Sequence, residues 1–158
     1  MTQPGTTRDF TLQLTLRTSA DQLFDALTTQ AGCARWWTTF CEGDSQVGSI
    51  SSYHFPAAGF HAVMRTIELA RPTTLVWECI ESSHSPSLPY EDLHDWIGTI
   101  IRFEIVPHSD EQCIFNFTHE RLAQLECYES CKSGWQFFLG DSLRSYVEQG
   151  QGKPWTQG

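Results

Sequence analysis

The chain of 158 residues carries 19 acidic and 10 basic side chains, which gives a formal net charge of −9. This balance disfavours nucleic acid and anionic membrane surfaces as partners, because phosphate binding requires concentrated Lys and Arg. No apolar run approaches the ~20 residues of a membrane span, and the N-terminal residues lack an apolar signal core. We therefore expect a cytoplasmic protein in which the six cysteines are reduced thiols.

The first part of the chain predicts a strand followed by two short helices. Residues 1–8 are expected to form a disordered tail ahead of one domain at residues 9–155. Alternating apolar side chains predict a half-buried strand over residues 10–16. Ser19 and Gln22 form a capping box for the next helix. A second short helix carries Cys33, Trp36 and Trp37, with Phe40 just past it.

Five β segments separated by turn signals follow, at residues 49–55, 60–69, 74–80, 96–106 and 112–120. The short connections favour antiparallel neighbours, and Pro107 is expected to end the fourth segment. Residues 82–95 are rich in Ser, Pro and acidic residues, which indicates a mobile loop and a candidate lid.

The last element is a long amphipathic helix that starts near Leu125. Gly150 and Pro154 mark its end, and Gly134 inside it suggests a close approach to another backbone. Segregated helices and antiparallel strands predict an α+β fold in which a curved sheet wraps this helix and leaves space for a ligand. The apolar face repeats at spacings of three and four residues and comprises Trp135, Phe138, Leu139, Leu143, Tyr146 and Val147.

Several motifs occur together in an order that resembles the helix-grip fold of the SRPBCC superfamily, which includes START and birch-pollen-allergen-like proteins. Within it, the chain is most similar to the family named after the activator of the ninety-kilodalton heat-shock chaperone ATPase. The motifs are D-A-L-T-T (25–29), Trp36-Trp37, I-E-L-A-R-P-T-T-L-V-W-E-C (67–79), W-I-G-T (96–99), F-E-I-V-P (103–107), G-W-Q-F-F-L-G-D-S-L (134–143) and G-K-P-W (152–155).

The resemblance implies functions that range over apolar-ligand binding, cyclisation chemistry, stress response and chaperone regulation, and fold alone does not choose among them. Our leading hypothesis is a protein that binds an apolar or amphipathic small molecule between the sheet and the C-terminal helix, as a monomer or homodimer. A co-chaperone-like or regulatory module that contacts a chaperone or another protein is the first alternative. A small hydrolase or cyclase that uses the same pocket is the second.

Aromatic inner faces supply the candidate binding residues, although the same rings could simply fill the core. His119 could donate to a ligand or act as a general base, or could be a rim residue bonded to backbone or water. Arg65 is expected to point inward, towards a ligand carboxylate or Glu78 or Glu104. The candidates are Trp36, Trp37, Phe40, Arg65, Trp77, Ile101, Phe103, Phe115, Phe117, His119, Trp135 and Phe138.

Metal and cofactor signals are weak. Cys127 and Cys131 are four residues apart, but no second Cys or His pair stands at a compatible spacing, so the sequence predicts neither a metal nor a cofactor. His84, His94 and nearby acidic residues of the loop could chelate an ion, but a solvated loop explains them equally well. Nucleophile-elbow, Walker, dinucleotide and zincin motifs are absent from the sequence, which favours a binding protein over an enzyme.

Overall fold

A computed structural model describes residues 8–158, so the expected tail lies outside the described residues except for Arg8. Seven antiparallel strands form one curved sheet, in the spatial order β1-β7-β6-β5-β4-β3-β2. With the helices, this gives the predicted α+β helix-grip fold. The strands are β1 (Phe10–Leu16), β2 (Phe40–Glu42), β3 (Ile50–Phe55), β4 (Phe60–Ala70), β5 (Thr74–Ser83), β6 (Ile100–Ser109) and β7 (Gln112–His119).

Two short helices follow β1, as the sequence predicts. Helix α1 (Ala20–Thr28) begins at Ser19, whose side-chain oxygen accepts a hydrogen bond from the backbone N–H of Gln22 at 3.1 Å. The Gln22 side chain bonds Thr18 instead of returning to the cap, so only half of the predicted capping box forms. Helix α2 (Gln30–Trp36) follows directly.

The C-terminal helix is continuous but changes its pitch. It consists of α3 (Tyr128–Phe137), a π-helical segment (Phe138–Leu143) and α4 (Arg144–Gln149). It begins three residues after the expected Leu125. Gly150 ends it with a φ of 82°, the left-handed conformation that glycine adopts most easily.

Strand boundaries differ from the prediction where turn residues were misread. Strand β6 begins at Ile100 because Gly98, with a φ of 86°, forms a turn that keeps Trp96 out of the sheet. The strand also continues past Pro107, which lies beside a register shift in the pairing with β7. The edge strand β2 was missed because three residues are too short for an alternating pattern.

A row of stacked indoles joins the sheet to the C-terminal helix. The ring of Trp37 stacks on Trp77 at a centroid distance of 5.9 Å and on Trp135 at 5.2 Å. Trp135 in turn stacks on Trp96 at 5.9 Å. This row holds α3 over the sheet and fixes the position of the loop that carries Trp96.

The two glycines that matter most for packing are in and after the helix. An added Cβ at Gly134 would meet nothing within 4 Å, so the expected close backbone approach there is wrong. At Gly152 an added Cβ would lie 2.1 Å from the carbonyl oxygen of Arg35, so the chain after the helix passes against α2.

Among the described residues, no helix combines the length and apolarity needed to cross a membrane.

Candidate functional site

A cavity of about 410 Å³ lies between the C-terminal helix, the chain around β3 and β4, and the loop that follows β5. This volume is within the range of about 300–1,000 Å³ that is typical of small-molecule sites. The cavity lies beside the start of the helix at the β3–β4 end of the sheet, and not over β6 and β7, where the predicted binding residues of the sheet had placed it.

Helix α3 and the start of the π-helical segment form one wall. The missing side chain at Gly134 explains part of the space, because nothing fills the volume beside its Cα. The wall includes two of the predicted ligand-binding residues. It consists of Ser130, Cys131, Gly134, Trp135, Phe137 and Phe138.

A second wall is formed by aromatic residues from α2, β3, β4 and the C-terminal segment. Phe55 lies at the centre of this group, with ring centroids 5.7 Å from Trp37, 5.8 Å from Phe60 and 6.0 Å from Trp155. Trp155 is placed there by backbone hydrogen bonds with Trp37 and Thr39. Only Trp37 of this wall was among the predicted binding residues.

The loop after β5 covers the third side. It contributes both apolar side chains and polar groups, namely His84, Ser85, Leu88, Tyr90 and Trp96. Trp96 is almost fully buried, and its indole N–H has no hydrogen-bond partner among the described residues.

The loop is tied down at its base. His84 Nε2 lies 2.8 Å from Asp95 Oδ1, and both side chains are about 95% buried, since they are only 6% and 5% exposed. His94 Nδ1 lies 2.7 Å from the carbonyl oxygen of Ser82. Glu126 accepts hydrogen bonds from two backbone N–H groups of the loop. Of the two interpretations left open for the loop residues, the solvated one therefore does not apply to His84.

Burial lowers the pKa of His84, but the hydrogen bonds and charges of Asp95 and Cys127 outweigh it and raise the pKa to about 9. The imidazole is therefore positively charged at neutral pH and forms a buried ion pair with Asp95. The second oxygen of this carboxylate, Oδ2, is buried and has no partner among the described residues.

Half of the predicted binding residues form the core beneath the cavity instead of its wall. Trp77 donates its indole N–H to Ser45 Oγ at 2.9 Å, and Trp36 donates to the carbonyl of Ala26 at 2.8 Å. The prediction that these side chains face the interior was right, but neighbouring side chains cover them, so they do not line the cavity. This group is Trp36, Trp77, Ile101, Phe103, Phe115 and Phe117.

Two predicted residues lie away from the cavity. Arg65 points outward and forms a half-exposed ion pair with Glu78 at 3.9 Å, so its expected inward orientation is wrong. Phe40 lies on the edge strand β2 and is 36% exposed. Arg65 was assigned to the wrong face of β4 because both faces carry apolar side chains, and the buried face is the one with Ala62 and Met64.

His119 is buried inside a chain of hydrogen bonds and does not line the cavity. Trp135 Nε1 donates to its Nδ1 at 3.1 Å, so Nε2 carries the proton and donates to Thr99 Oγ1 at 2.9 Å. Thr99 donates onward to the carbonyl of Trp96 at 2.7 Å. Burial and the charge of Arg121 lower the pKa of His119 to about 3. This geometry leaves neither ring nitrogen free for a ligand or for general-base chemistry.

A cluster that the sequence analysis missed lies where the loop meets α3. The ligating atoms of His84, Cys127 and Cys131 all lie within 4.8 Å of one another. The expectation of no metal site considered only sequence spacing, and the fold brings His84 to the cysteine pair from the end of β5. The neighbouring thiol of Cys131, together with burial, raises the pKa of Cys127.

Comparison with known proteins gives a consistent result. Residues 17–148 match the family model described as activator of Hsp90 ATPase homolog 1-like protein. The solution structure of the Aha1 dimer from Colwellia psychrerythraea is 26% identical to this chain with a TM-score of 0.72, covering 91% of this chain and 98% of that one. No match was found among curated proteins.

Two more distant structures share the fold alone. An HSP90 activator from Plasmodium falciparum is 18% identical, with a TM-score of 0.62 and coverage of 90% of this chain and 96% of that one. DynU16, from the dynemicin biosynthetic locus, is 15% identical, with a TM-score of 0.67 and coverage of 92% and 49%. Because the family model spans most of the chain, this protein belongs to the activator of Hsp90 ATPase homolog 1-like family.

Proposed function

We propose that this protein binds an apolar or amphipathic small molecule in the cavity beneath the C-terminal helix. The observation that carries the proposal is the cavity itself, with aromatic side chains on all three sides and a volume suited to a small molecule. The cavity opens to solvent between Phe137 and Leu88, which are 42% and 38% exposed, and its largely apolar, aromatic lining with few polar groups is typical of small-molecule sites.

The polar groups of the wall favour a ligand with an acceptor at one end. The unpaired indole N–H of Trp96 is a donor without a partner, and Ser85 and Ser130 add hydroxyl groups. A ligand carbonyl or ether could accept a hydrogen bond from these hydroxyl groups, whereas the Trp96 N–H has almost no accessible surface and would reach a ligand only after its ring moved. These groups take the role that the sequence had suggested for His119 and Arg65.

Burial of the apolar part of the ligand would provide most of the binding free energy. At about 25 cal/mol per Å², removing about 300 Å² of apolar ligand surface from water would contribute about 7.5 kcal/mol. This gain alone corresponds to a dissociation constant of about 3 μM, and the cost of immobilising the ligand reduces it, so we expect dissociation constants between about 10 μM and 1 mM.

Native mass spectrometry of the protein purified from its own host, followed by denaturing extraction, would identify a retained ligand. Independently, binding of the fluorescent probe 1-anilinonaphthalene-8-sulfonate can be measured by titration. Gly134→Phe should weaken probe binding at least tenfold, because the new side chain projects into the cavity without meeting other atoms at its Cβ.

Gly140→Phe is the matched control. Gly140 lies on the same continuous helix and also has open space at its Cβ, but it does not line the cavity. Probe binding should be unchanged in this variant. Equal binding by the wild type and both variants, with circular dichroism showing that all are folded, would refute the proposed site.

Chaperone regulation is the second candidate function, and family membership supports it. The similar Aha1 structure is a dimer, which also makes self-association of this chain a reasonable proposal. An interaction that acts through the outer surface should persist in Gly134→Phe, whereas a ligand-dependent one should not. Pull-down with a purified chaperone and light-scattering measurement of molar mass would test the two proposals separately.

A further inference from the structure

The cluster of His84, Cys127 and Cys131 has the composition of a transition-metal site. Once a metal ion displaces the protons of the two thiols and of the His84 ring, the cluster offers two thiolates and one imidazole, which Zn²⁺ prefers, whereas Mg²⁺ and Ca²⁺ prefer oxygen ligands. We propose that these three side chains bind one Zn²⁺ ion at the edge of the cavity.

The positions of the three residues suit this role. Cys127 is the residue before α3, and Cys131 lies one turn later, so both sulfurs point to the same side of the helix start. The sulfurs lie 2.7 Å apart. In a tetrahedral site with Zn–S bonds of about 2.3 Å, they would be about 3.8 Å apart. An opening of about 1 Å is within reach of small rotations about the two Cα–Cβ bonds.

Asp95 supplies an independent argument for a metal. Its Oδ1 lies 2.8 Å from His84 Nε2, which fixes the ring and leaves Nδ1 as the nitrogen available to the metal. A carboxylate bonded to the second nitrogen of a metal-binding histidine is the usual supporting arrangement in zinc sites. The buried, unpartnered Oδ2 of Asp95 also shows that this carboxylate is not fully satisfied by the protein groups described.

The cluster differs from a structural zinc site in its number of ligands. Structural sites usually use four protein ligands, whereas a site with three leaves one position for water or a bound molecule. His84 and Cys131 are both part of the cavity wall. The fourth position would therefore be reached from the cavity, and a ligand donor atom could occupy it. Metal binding itself does not depend on the proposed small-molecule function.

Cobalt titration tests the site directly. The full-length protein, reduced and treated with a chelator, is titrated with Co²⁺, and Zn²⁺ is then added in competition. We expect one equivalent of Co²⁺ to give the visible bands of a tetrahedral ion and near-ultraviolet thiolate-to-metal charge transfer, both abolished by Zn²⁺. Absence of the charge-transfer band in the reduced wild type would overturn the proposal.

Variants assign the ligands. Cys131→Ser and His84→Gln should each weaken Zn²⁺ binding at least a hundredfold, and Asp95→Asn should weaken it about 10–100-fold. Cys41→Ser is the matched control, because Cys41 lies on the edge strand β2 outside the cluster. The Zn²⁺ affinity of this variant should equal that of the wild type. Unchanged affinity in folded Cys131→Ser would exclude this cluster. Probe binding measured without metal keeps this result separate from that of the ligand proposal.

Discussion

Because His119 is buried and neutral, the stability of the fold should depend on pH in a way that one substitution removes. The folded-state pKa of about 3 is lower than the unfolded value of 6.5. Below pH 6.5 His119 therefore binds a proton in the unfolded chain but not in the folded protein. His119 contributes stability above pH 6.5, and this contribution is lost as the pH falls towards 3. His119→Asn removes the titrating group from both states.

The size of the effect follows from the difference between the two pKa values. Between pH 7 and pH 4.5, proton uptake by His119 in the unfolded state should lower the free energy of unfolding by about 2.5 kcal/mol. Burial, together with the charge of Arg121, keeps the ring neutral, and a proton on Nδ1 would also displace the Trp135 donor. An Asn oxygen can still accept from Trp135, so the variant should fold.

Urea denaturation followed by circular dichroism at several pH values between 4.5 and 7.5 measures this effect. The free energy difference between the wild type and His119→Asn should shrink by about 2.5 kcal/mol on acidification, since every other titrating group is common to both. The exposed His108, substituted in the same way, is the matched control. A difference that stays constant across this range would refute the reasoning about His119.

Three further predictions concern stability. Gly134→Ala should raise the free energy of unfolding by about 0.5–1 kcal/mol in urea denaturation, because Ala favours the helix and its Cβ has room; a loss of stability would contradict the open space described. Gly152→Ala should lower it by roughly 1–3 kcal/mol, because the Cβ would overlap the carbonyl of Arg35; a neutral result would place the two segments further apart. Arg65→Ala should change it by less than about 0.5 kcal/mol, since its pair with Glu78 is half exposed; a loss above 2 kcal/mol would indicate a buried role.

The sequence predicted the fold well because its strongest signals are periodic. The helical spacing around Trp135 and Phe138 correctly placed both against the sheet, and alternation in the segment containing Phe115 and Phe117 gave the inward face of β7. Such periodicity indicates which face of an element is buried. It does not show whether facing rings meet or leave a cavity, so residues beneath the cavity were predicted together with those that line it.

The unpredicted part of the site comes from the loop and from short turns. His84 and Trp96 lie in or beside a polar segment whose composition resembles a solvated loop, but His84 is buried by its bond to Asp95. For Trp96 a signal was present, because Gly98 two residues later is a turn former and argued against a strand starting at position 96. The His84 contact with Cys127 depends on chain packing alone, so no local pattern could reveal it.

The π-helical segment Phe138–Leu143 sets the rotation of α3 relative to α4 about the helix axis. A π-helical turn is closed by hydrogen bonds to carbonyls five residues back, so the segment holds roughly one residue more than an α-helical path. Ser142 depends on this rotation, because its hydroxyl donates to the carbonyl of Trp36 and accepts from the N–H of Lys153, both at 2.7 Å. Loss of one residue here would rotate α3 by about 100° relative to α4 and turn other side chains towards the cavity. A change of length in this segment would therefore alter the wall of the cavity while the sheet stayed the same.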